Sequence, residues 1–147
     1  MDTDAVENGR RVMIDVWSDV VCPFCYLGDT VLEQAIVESS HRDSIDVRYH
    51  SFQLMPELPA DVAEPVAELL ERERGYAPTQ IAAMHAQLTA RGAAVGIDYR
   101  FDDALAVNTR AAHRLSHFAA AHGMQRALMQ RLFRAYFSEG RNLGDHA

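Results

Sequence analysis

Cys22 and Cys25 stand at the joint between an apolar run and an amphipathic one, and this junction constrains the fold more than any other feature. "VMIDVW", Val12 to Trp17, is short and apolar with a single acid, the pattern of a buried strand. "PFCYLGDTVLEQAIVES" carries Leu27, Val31, Leu32, Ala35 and Ile36 at helical spacing. It predicts a helix from Pro23 to Glu38, with Pro23 at the first position, where its missing N–H costs nothing. "SIDVRYHSFQL" alternates Ile45, Val47 and Tyr49 on one face, as a second strand does. Strand, helix and strand at this length predict a βαβ unit with parallel strands and a right-handed crossover.

Two cysteines so close can be a disulfide staple, part of a metal site, an inert pair in the core or a redox dithiol. A staple between positions 22 and 25 would close a very short loop and restrain little of the unfolded chain. The opening "MDTDAVENGRR" is polar and acidic, without the basic start and apolar run of a secretory signal, and predicts a cytosolic setting, where structural disulfides are rare. Zinc needs about four ligands, and histidines would have to complete a set that has no third cysteine. A strand before and a helix after the pair is the context of a redox motif. Cys22 then faces the free N–H groups and positive end of the helix, which favours its thiolate over that of Cys25. Cys25, three residues on, is near enough to bridge, so Cys22 can attack a disulfide and Cys25 can resolve the mixed disulfide.

Composition adds exclusions. With 14 basic and 21 acidic side chains the net charge is −7, which argues against nucleic acid or an anionic membrane as the main partner. No segment reads as a membrane span, and 147 residues, nearly half of them apolar, suffice for a proper core. "MPELPADVAEP" holds three prolines and reads as a linker. Four helices are predicted beyond it: Val62 to Arg74 ended by Gly75, Pro78 to Val95 ended by Gly96, Ala106 to His122 ended by Gly123, and Met124 to Ser138 ended by Gly140. Leu128, Leu132 and Tyr136 make the last of these an ordinary core helix.

"IDVWSDVVCPFCYLG" resembles the DsbA-like branch of the thioredoxin superfamily, most closely its FrnE-like members, a group related to the 2-hydroxychromene-2-carboxylate isomerases and kappa-class glutathione transferases. "YHSFQLMPE", "NTRAAHRL" and "LFRAYFSEGRNLGD" continue the likeness from Val12 onward. The resemblance implies an α/β, thioredoxin-like fold with an inserted helical domain. Residues 11–55 would be the first part of the thioredoxin-like domain and 56–147 the helical insertion. The remaining hairpin and closing helix of that fold, with their cis-proline, have no counterpart here, so the expectation is a partial thioredoxin unit. Its exposed sheet would be covered by further residues or by a second copy in a dimer.

Single residues carry two readings each. Asp15, within the first strand, is either a buried acid that takes the proton of Cys25 or an acid at a solvated strand edge. Asp19 reads as a turn or cap residue. Pro23 and Phe24, between the cysteines, would meet substrate, although Phe24 could instead pack on Trp17. His113 and His117 share a helix face opposite a stripe of Ala111, Leu115 and Phe118; solvation is the commoner outcome, and the Glu of a zinc helix is absent. The resemblance adds that Asn108 and His113 line the cleft between the domains.

The function expected is thiol–disulfide exchange through Cys22 and Cys25, with no organic cofactor and with protein or small-molecule thiols and disulfides as partners. A glutathione-dependent isomerase or transferase, with glutathione as co-substrate, is the second reading, and a non-catalytic partner-binding fragment the third.

Overall fold

The computed structural model describes residues 10–145. Most of the segment read for a targeting signal, residues 1–9, and the end of the second predicted domain, 146–147, lie outside the described residues.

Strand β1 (Val12–Ser18) runs into α1 (Pro23–Glu38), and β2 (Ile45–Ser51) returns parallel to β1, from Val12 opposite Ile45 to Ser18 opposite Ser51. The parallel βαβ unit and the bounds of α1 are those the residues predict. β1 is less buried than its composition suggests. Ile14 and Val16 turn inward while Met13, Asp15 and Trp17 turn outward, and Val12, Met13 and Trp17 are exposed. Among the described residues β1 pairs only with β2, so its other edge has no strand beside it.

Beyond β2 follow β3 (Ala63–Pro65), α2 (Val66–Arg74), α3 (Pro78–Ala93), β4 (Leu105–Val107), α4 (Arg110–Ala120) and α5 (Gln125–Phe137). Two helices begin later than predicted, because β3 pairs antiparallel with β4, Ala63 opposite Val107 and Pro65 opposite Leu105. Pro65 disfavours helical backbone at Glu64, and Ala106 and Val107 are almost wholly buried in the extended form. The predicted stops hold better. Gly75 takes φ 67°, and Tyr76 N–H reaches back to Leu70 O at 3.4 Å, closing α2 with a left-handed residue that a side chain would strain.

The face that α4 buries is the reverse of the predicted one. Ala112, His113, Ser116 and Ala119 are buried, whereas Leu115 and Phe118 are exposed. The polar side chains tolerate burial because each is satisfied. His113 meets Asp19, and Ser116 Oγ accepts from Gln125 Nε2 at 3.1 Å. Gln125 in turn brackets the β2 backbone, accepting from Tyr49 N–H and donating to Tyr49 O. α5 supplies the centre of the core through Met129, Phe133, Tyr136 and Phe137, with Leu128 and Leu132 only half-buried. Tyr26 of α1 stacks on Phe133 at 5.3 Å between ring centres and on Phe137 at 5.7 Å. This aromatic layer ties the helix that bears the cysteines to α5.

Gly92 marks a close approach. A Cβ there would lie 2.6 Å from two ring carbons of Tyr99. Tyr99 cannot yield, since its ring packs on Phe101 and Phe137 and its hydroxyl donates to Pro23 O at 2.5 Å. Helix propensity alone would make Gly92→Ala stabilising by about 1 kcal/mol. The overlap reverses the sign, and a net loss of about 1–2 kcal/mol is expected in denaturant titration. Equal or greater stability would show that Tyr99 is not held.

Candidate active site

The cysteines occupy the strand-to-helix joint. Cys22 caps α1: its backbone is extended, and its sulfur accepts the N–H of Cys25 at 3.3 Å. Cys22 N–H itself bonds to Asp19 O at 3.1 Å, which closes the turn. Both cysteines are free and half-buried. The Tyr99 hydroxyl pins the first turn of the helix from outside through Pro23 O.

The two thiols share a hydrogen bond, and it dominates their acidity. It pulls Cys25 down to about 6, against burial and the charge of Asp19, and with help from the Asp19 backbone and the Ser18 hydroxyl. The same bond, followed by burial, raises Cys22, while the backbone N–H groups of Cys25 and Phe24 pull it the other way. Helix position alone predicted the opposite order. The contact between the sulfurs outweighs the cap, and the first proton lost belongs to the pair.

Asp19 is the buried acid beside this dithiol, a place sequence reasoning gave to Asp15. Its side chain is 1% exposed, and its carboxylate accepts Leu54 N–H at 2.8 Å and meets His113 Nε2 at 2.9 Å. Asp15 instead lies on the outward face of β1, half-exposed, 2.7 Å from His50 Nε2 and 3.9 Å from Arg48. The period of two decides this, because Asp15 is out of phase with the inward residues Ile14 and Val16. The spacing Asp19-x-x-Cys22, which puts an acid at the start of the same turn, is the signal that could have pointed to Asp19.

A cavity of about 430 Å³ opens in front of the motif. Cys22, Pro23 and Phe24 line it; Cys25 does not. Phe24 is 54% exposed, and Trp17 stacks on His50 at 4.5 Å instead of on Phe24. α2 and α3 contribute Leu69, Arg74, Met84 and His85 to the cavity wall. Neither Asn108 nor His113 reaches it. Asn108 fastens the segment after β2, donating to Leu58 O at 2.6 Å and accepting from Gln53 Nε2 and Arg110 N–H. His113 sits in the core against Asp19. Among the described residues no group of three or more His, Cys, Asp or Glu side chains is placed to hold a metal ion. No helix among them is long and apolar enough to cross a membrane.

The family model of the DSBA-like thioredoxin domain matches residues 13–147. The chain belongs to that family. It is similar over 92% of its length to a Streptomyces coelicolor protein of known crystal structure, described as a probable DsbA oxidoreductase, with 34% identity and a TM-score of 0.84. It is 27% identical over 135 residues to the uncharacterized protein YwbO of Bacillus subtilis, a match covering 91% of this chain. The chain spans 58% of the first relative and 60% of the second. The βαβ unit of this DSBA-like chain presents the cysteine pair, and residues of α2 and α3 line the cavity with Cys22.

Proposed function

We propose that this DSBA-like chain carries out thiol–disulfide exchange through Cys22 and Cys25, in the manner of the FrnE-like branch. The observation that supports this most is the division between the two sulfurs. They share one acidic proton, and only Cys22 lines the cavity. The pair supplies a thiolate near neutral pH, and access decides which sulfur attacks. A proton passed along the bond between the sulfurs leaves Cys22 charged, where two backbone N–H groups stabilise it. Cys22 then attacks a disulfide, expelling one sulfur of the partner as thiolate. Cys25, lying behind it, attacks Cys22 and releases the second sulfur, so both electrons pass to the partner. Protein and small-molecule disulfides are both suitable partners.

Alkylation tests the shared proton. The rate of iodoacetamide labelling should rise with pH through about 6 and level off above it. An unperturbed thiol would rise through about 8.5. Peptide mapping should find the label on Cys22, the sulfur on the cavity. A midpoint above 8, or labelling of Cys25 first, would contradict the assignment.

A further inference from the structure

The exchange chemistry leaves two polar side chains of the cavity wall unused. Arg74 ends α2. Its neighbour Arg72 is held by Glu64 and Glu73, but the Arg74 guanidinium makes no hydrogen bond or ion pair among the described residues. His85 of α3 lies face to face on Phe101, 4.1 Å between ring centres, and its ring nitrogens make no hydrogen bond there. Both line the same cavity as Cys22, within a wall otherwise built largely of Leu54, Met55, Leu69 and Met84. The chain as a whole repels anions, with a net charge of −7. An unpaired cation at an apolar cavity is a local exception to that field. A cavity of 430 Å³ lies in the range of small-molecule sites.

Resting on the dithiol reading above, we propose that this cavity selects disulfides whose reacting sulfur is borne on an apolar or aromatic body ending in a carboxylate. Arg74 holds the carboxylate through its N–H groups, and His85 offers a further N–H from the Phe101 side. The apolar wall takes the body between carboxylate and sulfur. The attack itself is unchanged: Cys22 bonds to one sulfur, the partner's S–S bond breaks, and the other sulfur leaves with the electron pair. Cys25 then repeats the displacement on Cys22, its proton passing to water. A carboxylated small molecule and an acidic peptide present the same groups.

Two aryl disulfides separate the anchor from the chemistry. 5,5′-Dithiobis(2-nitrobenzoate) carries a carboxylate on each ring; 2,2′-dithiodipyridine carries none. Arg74→Ala should slow reduction of the first by about tenfold, the loss expected for a charge-assisted contact, and leave the second unchanged. His85→Phe, which keeps the stack on Phe101, should act in the same direction more weakly. Arg114→Ala removes the same charge from the exposed face of α4, outside the cavity, and should change neither rate. Equal slowing of both reagents in Arg74→Ala, equal loss in Arg114→Ala, or no loss at all would overturn the proposal. A wild-type protein that reduces the neutral reagent but shows no Arg74 dependence with the charged one overturns the anchor alone. Failure with both reagents overturns the dithiol reading too. A leucine-flanked cysteinyl peptide disulfide, compared with its C-terminal amide, distinguishes the sources. Arg74-dependent discrimination there assigns the site to peptides, and discrimination by the aryl pair alone assigns it to small molecules.

Discussion

Cys22→Ser should abolish disulfide exchange, leaving only the background rate of the buffer thiol, while Cys25→Ser should halt after the first step. The asymmetry follows from placement. Cys22 is the sulfur on the cavity, and Cys25 lies behind it. Without Cys22 no sulfur of the pair faces a substrate. Without Cys25 the attack still occurs, but nothing displaces the partner from Cys22, so a mixed disulfide accumulates. Incubation with a small disulfide and mass measurement distinguish the two: an adduct on Cys25→Ser, none on Cys22→Ser. The two serine variants behaving alike would refute separate roles.

Asp19→Ala should be the most destabilising substitution near the site. Asp19 is 1% exposed and satisfies Leu54 N–H and His113 together. Truncation leaves both donors buried without a partner. Breaking a buried pair in this way costs about 3–5 kcal/mol. For a chain of this size that corresponds to a fall in Tm of roughly 10 °C. Asp19→Asn retains an acceptor and should lose less. His113→Ala acts on the same contact, so the double variant Asp19→Ala/His113→Ala should lose less than the sum of the two singles. Additive losses would mean that the two side chains are not coupled. Asp15→Ala is the contrast: on the outward face, beside exposed Arg48, it should shift Tm little.

The comparison of Asp15 with Asp19 shows where the residues were legible and where they were not. α1 could be read end to end, because a proline at its first turn, a regular apolar stripe and the cysteine cap agree with one another. β2 was legible for the same reason, its alternation being uninterrupted. β1 was identified but assigned too much burial: an apolar run says that a strand forms, not how many neighbours cover it. β3 and β4 were missed because strands of three residues, paired across some forty positions, leave no period to detect. The face of α4 was misjudged because His113 stood opposite the stripe of Ala111, Leu115 and Phe118, and only Asp19, distant in sequence, makes its burial affordable. The cysteine pair was legible as a motif from its spacing. The acid beside it was not, since burial of a carboxylate depends on donors that arrive from Leu54 and His113. Arg74 and His85 stood out in no pattern; only the fold brings α2 and α3 to the cavity at Cys22.

The proposed exchange makes Cys22 and Cys25 a two-electron pair. Its most direct test is to add one equivalent of a small disulfide to the fully reduced protein and follow released thiol and protein mass together. Release of both partner sulfurs per chain, with conversion to an internal Cys22–Cys25 disulfide, is the predicted result. A stable adduct on one cysteine, with only one sulfur released, would contradict it.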